Sequence, residues 1–486
     1  MSGALRQTCY TSAAAFAITA ATCAHAAVTI STAPTLNMNC AGGTCSPTAT
    51  SANLNVTDLE NDLASGNLIV TTTGSGGIQA NDIQVGAGVS WVSVNALTLD
   101  AYHSINVGAP IAITGGGGLT VVTNDGGTGG IFNFAPGDNV DFYSLSSSLT
   151  INGVPYALEN SVATLASAIA SNSAGNYALA NNYNATGDGT YKNAAIPTEF
   201  SGSFEGLGNT ISNLSIVSKD IEVGLFAKTG FGGQSGGSIE NIVLQNANVA
   251  GKGVVVGALV AVNTGTISGA FASGSVTSSY YRHSGPTVGM LVGANDGPIA
   301  RSGAAGNPTA TSKRYAAVGG LTGSNNSTII QSYADCVGSA GEESESGGLT
   351  SSNTGSISHS YALGSTHSGY NSDLGGLVGE NAEQSTIAQS YSTTAVKDEK
   401  SAYRGGLIGL DYSPPGSNTS AYWDTTTSQV KNRKDGAGKP KSDPGITGLT
   451  TTQLQAGLPS GFDPTEWAEN PSINGGFPYL INNPPR

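Results

Sequence analysis

One phrase recurs through the second half of the chain and constrains its fold more than any other feature. "VGMLVGANDGPI", Val288 to Ile299, returns as "VGGLTGSNNSTI", "SGGLTSSNTGSI" and "LGGLVGENAEQSTI". A Leu preceded two residues earlier by Gly stands at Leu259, Leu291, Leu321, Leu349, Leu377 and Leu407, with a looser copy, "VGLFA", at Leu225; successive spacings run 34, 32, 30, 28, 28 and 30. Four residues after each Leu comes Asn263, Asn295, Asn325, Asn353 or Asn381, and Asp411 closes the series. Eight after it comes Ile267, Ile299, Ile329 or Ile357, with Ile387 two residues late. An aromatic column follows at Phe271, Tyr333, Tyr361, Tyr391 and Tyr422, interrupted at Gly303.

A period of about 30 residues, filled by short Val/Ile/Thr/Tyr runs cut by Gly, Asn and Ser, is strand-and-turn vocabulary. No copy carries an amphipathic segment long enough for a helical repeat, and a propeller blade needs roughly 40 residues or more. What remains is a β-solenoid, all-β, in which each copy is one coil and like positions stack about 4.8 Å apart. Read as one continuous strand, the phrase puts Leu on one parity and Val256, Val288, Val318, Ser346, Leu374 and Arg404 on the other. Because that second column accepts Ser and Arg, it is expected to face outward, with Leu and Ile forming the core. Gly two before each Leu suits a tight bend. Stacked Asn amides are expected to hydrogen-bond from coil to coil and to take the left-handed turn conformation. The aromatic column reads as packing, with any outward ring open to a sugar.

Upstream, "GNLIVTTT", "NALTLDAYHSINV", "PIAIT" and "GLTVVTN" continue the solenoid in shorter coils. "SVATLASAIASN", 161–172, breaks the pattern: Val162, Leu165, Ala166 and Ile169 share a helical face behind a Ser N-cap, which predicts a short lateral helix. Past Tyr422 come the basic loop "KNRKDGAGKPK" (Lys431, Arg433, Lys434, Lys439, Lys441) and "WAENPSINGGFPYL", whose Trp467, Phe477 and Tyr479 are expected to cover the last open coil as a C-terminal cap. The organisation is therefore a signal peptide over 1–26, an N-terminal cap over 27–66, shorter coils over 67–222, the long repeats over 223–428, and the basic loop and cap over 429–486.

The signal peptide rests on Arg6, the apolar run from Ala13 and "AHA" at Ala24 to Ala26, an A-x-A cleavage site, and it predicts export. No segment reaches the roughly 18 to 20 apolar residues of a membrane span. Loss of Arg6 leaves 17 basic against 32 acidic residues, a net charge of −15, which argues against nucleic acid or an anionic membrane as partner. The 69 glycines and 10% charged residues suit a thin, sheet-based core rather than disorder. After export, Cys40 and Cys45 in "CAGGTC" are positioned to close a small disulfide loop, with no neighbouring His or Asp in sequence to make a metal site. Cys336 stands where other copies have Gly.

The "GGLVGEN…TIAQSYS" phrasing, the leading "FEGLGNTISNLSI…VGLF" and the closing "AYWDTTTSQ…GLTTTQLQ…FPYL" resemble the GLUG-repeat segment of filamentous-haemagglutinin-like exoproteins of Gram-negative bacteria. The likeness runs over about 95–480. It implies a right-handed parallel β-helix at or released from the cell surface, commonly an adhesin meeting a surface glycan, matrix or host-cell ligand, with an outer-membrane transporter as export partner. The "NPNG" signature of large members is not found.

Such repeats also accompany a zinc peptidase that cleaves immunoglobulin A, but the H-E-x-x-H motif is missing, since His103, His283, His359 and His367 are not so spaced. "GQSGG" at Gly233 to Gly237 matches G-x-S-x-G without the strand-turn-helix context of a nucleophile. The alternative to an adhesin is a polysaccharide lyase or glycoside hydrolase whose site forms across coils, with Asp138, Asp141 or Asp188 supplying carboxylates. Each also suits a turn. The expectation is a non-catalytic protein without cofactor or metal.

Overall fold

The computed structural model describes residues 26–230, 236–252, 254–280, 285–397, 403–430, 432, 435–440 and 443–486. The signal peptide up to His25, Ser235 of "GQSGG", His283 and the basic residues Lys431, Arg433, Lys434 and Lys441 lie outside them.

The chain is a parallel β-solenoid. In the repeat region each coil is built from four short strands, which in one copy are Thr287–Gly289, Val292–Asn295, Ile299–Ala300 and Gly303–Ala310. Each pairs in parallel with its counterparts one coil away. The Asn column runs Asn263, Asn295, Asn325, Asn353, Asn381, Asp411 as successive register partners, and the Ile column runs through Ile387. Tyr361, Tyr391 and Tyr422 also stand in register, so the insertion after Asn381 is absorbed before the strand resumes. All six Leu and all five Ile are buried.

The expected outward parity fails. Val256, Val288, Val318, Ser346 and Leu374 are as fully buried as the Leu column. The reason is that the phrase is two strands: between Gly289 and Val292 the chain turns a corner, and alternation does not carry across a corner. Ser346 is tolerated inside because its hydroxyl meets Thr366 Oγ1 at 2.5 Å, and half-buried Arg404 donates to Gln429 O at 3.0 Å and to Val396 O. The corner explains why each copy keeps its Gly. A Cβ on Gly289 would lie 2.0 Å from Val292 O, and on Gly375 1.8 Å from Val378 O.

The Asn ladder forms as expected, buried throughout. Each Nδ2 donates to the next Oδ1 at 2.8 to 2.9 Å, and Asn381 donates to Asp411 Oδ1 at 3.0 Å. Thr229 Oγ1 donates to Asn263 Oδ1 at 2.7 Å and closes the other end. The left-handed conformation belongs to another column: Asn241, Gly269, Arg301, Gln331, His359, Gln389 and Ser420 all have positive φ. This corner precedes a serine file, in which Ser332, Ser360 and Ser390 Oγ accept the N–H of Ser302, Ser332 and Ser360 at 3.2 Å.

The N-terminal stack is also a parallel solenoid, but its coils carry three strands each, as in Asp82–Val85, Val89–Trp91 and Ala96–Asp100. Ile83 and Ile105, Val89 and Ile111, and Leu97 and Leu119 are register partners in successive coils, at shorter intervals than any in the repeats. Cys40 and Cys45 form the disulfide, facing each other across an antiparallel hairpin. Next, within the expected N-terminal cap, comes α1 (Val56–Ser65), a helix not anticipated from the sequence, N-capped by Asn55 and burying Leu59 and Leu63. It brings Asp62 beside the two cysteines, all three donor atoms within 4.8 Å, although the sulfurs are bonded to each other. Glu60 Oε1 accepts the N–H of Ser90 at 2.8 Å, so α1 covers an otherwise unpaired strand edge. The predicted lateral helix is α2 (Val162–Ser171), with Ser161 accepting from Thr164 N and Val162, Leu165 and Ile169 buried. Among the described residues no helix is long and apolar enough to cross a membrane.

Candidate functional site: the tyrosine column and the segment that covers it

The left-handed corner turns the chain so that Ser302, Ser332, Ser360 and Ser390 point into the coil and the next residue points out. That next residue is the aromatic column, which belongs to a hydrophobic cluster separate from the solenoid interior. Tyr333 and Tyr361 stack with centroids 5.2 Å apart and planes 8° from parallel, and Tyr361 and Tyr391 at 5.2 Å and 5°. At the gap in the column, Phe271 and Tyr333 close to 6.3 Å over Gly303, where a Cβ would lie 2.7 Å from the Tyr333 ring.

The column is not open to solvent, because the C-terminal segment runs back along it. After α3 (Thr451–Leu454), held by a Thr450/Gln453 capping box, Phe462 packs on Tyr422 and Tyr391 and Trp467 on Tyr391 and Tyr361, with centroids 5.7 to 6.5 Å apart. Tyr422 and Tyr391 donate to Ser460 O and Pro478 O at 2.6 and 2.7 Å. Arg486 N donates to Tyr333 Oη at 3.0 Å. The left-handed column also holds the segment: Gln389 Oε1 accepts Asp463 N at 2.7 Å, and Gln331 donates to Glu466. The aromatics Trp467 and Phe477 thus cover the side of the stack, not its last coil as expected, because the tyrosine edges offer a continuous apolar strip with hydroxyls at regular intervals. The "QSY", "HSY", "QSY" recurrence was the available sign of the corner residues.

Between column and segment lies a cleft of about 600 Å³, floored by Ala305, Asp335 and Leu363 and walled by Thr393, Asn474 and Phe477. Burial pushes Tyr333 up to about 12 and raises Tyr361, Tyr391 and the Asp335 carboxyl above their ordinary values. Tyr361 Oη and Trp467 Nε1, both buried, have no hydrogen-bond partner among the described residues. The cleft is of ligand size, lined by the Asp335 carboxyl, by Arg486 and by a few hydroxyl and amide groups.

The other sequence candidates do not converge on it. Asp138 and Asp141 sit at one strand, each raised by burial, with Asp141 accepting from Asn139 Nδ2 at 2.8 Å. Asp188 is clamped by the hydroxyls of Tyr191, at 2.6 Å, and Tyr183. Cys336 pairs in register with Gly306 and Gly364, and burial raises its thiol far above the ordinary range. Of the basic loop, Lys439 lies 5.0 Å over the Tyr403 ring. Two carboxyl groupings across coils lie outside the motifs of the sequence: Glu345 and Asp373 are register partners that burial and Glu380 raise to about 7 and about 6, and Glu205 and Glu240 are register partners, where burial first, then Glu240, raises Glu205. Glu205 is only 4% exposed, its oxygens accepting from Leu207 N at 2.7 Å and Asn241 Nδ2 at 3.2 Å. A carboxyl so enclosed has no route to a polymer substrate.

These features define a parallel β-solenoid with a covered aromatic face. No known family model matches the chain. Among curated proteins it is similar to halomucin of Haloquadratum walsbyi, 40% identical over 83 residues, which are 17% of this chain and 1% of that protein. Among solved structures it is similar to a "putative immunoglobulin A1 protease" from Bacteroides ovatus, at 15% identity and TM-score 0.39, over 63% of this chain and 85% of that one.

Proposed function

We propose that this is an exported, surface-displayed or released β-helical protein of the filamentous-haemagglutinin-like, GLUG-repeat kind, serving as a non-catalytic adhesin-like module for a surface glycan, matrix component or host-cell ligand. One observation carries the reading. Every recurrent position of the repeat is consumed by the stack itself, Leu and Ile as core, Asn as ladder, Gly at the corner and Tyr as packing. Repetition here builds length and a regular outer surface, which is what a module that presents or contacts extended partners requires. The Cys40–Cys45 disulfide suits an oxidising compartment and so supports export. The phrasing of the repeats supports the family.

The test is incubation of the mature protein with a panel of neutral and acidic polysaccharides, reading co-sedimentation alongside unsaturated products and new reducing ends. Retention without turnover is expected. Turnover of any polymer would overturn the non-catalytic reading, and absence of retention across glycans, matrix proteins and host-cell surfaces would overturn the binding role.

A further inference from the structure

One outward column of the repeat carries a different residue in every coil. Two residues past the aromatic column, on the same side of the strand, Ser273, Ala305, Asp335 and Leu363 succeed one another as register partners, and Thr393 stands at the same offset from Tyr391. From Ala305 onward this column lines the cleft beside the tyrosines. Parallel pairing with both neighbouring coils occupies the backbone here, so the face offers a ligand side chains and no free strand edge. A column that the stack leaves free to vary can be shaped by a partner instead.

The opposite wall is an arch. The C-terminal segment lies tight against the stack at Trp467 and again at Tyr479 and Leu480, all buried. Between them it passes through three successive left-handed residues, Asn474 (φ 51°), Gly475 (62°) and Gly476 (83°), and the cleft lies beneath. Hydrogen bonds fix the arch: Gln455 Nε2 donates to Gly475 O, and Asn474 Nδ2 to Tyr391 Oη and Pro478 O, each at 2.8 Å. A segment that served only to cover an apolar strip would lie flat on Leu363, which is instead left partly exposed.

The lining is amphipathic. Leu363, Ile473 and Phe477 are apolar, whereas the Asp335 carboxyl, the Thr393 and Ser472 hydroxyls and the Arg486 guanidinium are polar. Among the described residues none of these four polar groups has a hydrogen-bond or ion-pair partner. We infer that the cleft binds a short stretch of a neutral oligosaccharide, an inference that rests on the glycan-binding role proposed above and gives it a site. A pyranose has an apolar C–H face and a rim of hydroxyls. Leu363 and Phe477 meet the face, the Asp335 carboxylate accepts from adjacent hydroxyls, and Thr393, Ser472 and Arg486 supply donors. One charge of each sign does not suit a strongly acidic chain, and a floor without a free strand edge does not suit an extended peptide.

The experiment is calorimetric titration of the full mature chain with cellotriose, maltotriose and mannotriose, with trigalacturonate as the acidic comparison. Asp335→Ala and Ser472→Trp, the latter filling the cleft from an exposed position, are titrated alongside after circular dichroism confirms folding. Saturable binding of at least one neutral trisaccharide is expected, weakened about tenfold or more by Asp335→Ala and abolished by Ser472→Trp. No saturable binding of any neutral trisaccharide at millimolar concentration, a preference for trigalacturonate, or a variant affinity equal to wild type overturns the proposal. Should one variant fail to fold, the other decides. If a polysaccharide retains wild type and both variants equally, the cleft assignment fails while the adhesin-like reading stands. If a polysaccharide is turned over yet Ser472→Trp abolishes trisaccharide binding, the non-catalytic reading fails while the cleft assignment stands.

Discussion

The N-terminal stack holds its coils together with aliphatic columns such as Val28, Ile83 and Ile105, whereas the repeat stack threads a file of amides through a similar interior. The difference teaches what fixes register. An apolar wall gains by burial at roughly 25 cal/mol per Å² and tolerates small displacements. A buried amide must meet its partner near 2.8 Å or leave two orphaned groups. Aliphatic coils can therefore vary in length, and the N-terminal partners Leu97, Leu119 and Leu149 are separated by a short coil and then by a longer one. In the repeats, variation is pushed outside the ladder strand, as in the insertion after Asn381.

The largest expected effect tests that contrast directly. Asn325→Ala strips Asn295 Nδ2 of its acceptor and Asn353 Oδ1 of its donor, both fully buried, and is expected to cost about 4 kcal/mol in urea unfolding. Asn325→Leu should fare no better, because it orphans the same neighbours. Leu97→Met in the N-terminal stack should cost about 1 kcal/mol. A cost for Asn325→Leu as small as that for Leu97→Met would erase the distinction between the stacks.

The next effect concerns glycine. Gly375→Ala would place a Cβ 1.8 Å from Val378 O and 2.7 Å from Gly409 N, and about 3 kcal/mol of destabilisation is expected in the same assay. Gly153, in the hairpin beside the N-terminal stack, has φ +78° and open space around it, so Gly153→Ala should cost only about 1 kcal/mol. Equal costs would refute the close approach at the corner as what selects Gly in the repeat.

The smallest effect is a pH dependence carried by two carboxyls of the repeat stack. Burial, then Glu380 and Asp373, pushes Glu345 up to about 7, and burial, then Glu380, pushes Asp373 up to about 6. Both folded-state values lie above the unfolded ones, so the folded chain keeps protons that the unfolded chain has released. Stability therefore falls as pH rises from about 4 to about 7. Both groups are partly exposed, so Glu345→Gln is expected to gain only about 1 kcal/mol at pH 8 and nothing at pH 4. A gain at pH 4 equal to that at pH 8 would refute the assignment.

Much of this was legible in the sequence. The Leu, Ile, Asn and Tyr columns stack as their offsets indicate, even where Tyr391 and Tyr422 are displaced, because in-register parallel strands make equal positions equal environments. Helix α2 was visible from Ser161 and its apolar spacing. Helix α1 was not, since only Leu59 and Leu63 mark its buried face. The burial of Val288 and Ser346 was misread because strand alternation says nothing about where a corner falls. The cleft depends on which column the C-terminal segment chooses to lie against. That is a contact between stretches with no shared phrase, which periodicity cannot report.

The ladder has a further consequence for how such a chain can change over generations. Along the file each internal asparagine gives one hydrogen bond and takes one, so the file has a direction, with Thr229 as its first donor and Asp411 as its final acceptor. A duplicated or deleted internal coil leaves every neighbour satisfied. The number of coils is therefore free to drift by recombination between near-identical stretches, and each copy gained lengthens the molecule by about 4.8 Å. The reach of this protein is a quantity its lineage can adjust in single steps, while the two ends of the file are the parts that cannot be copied.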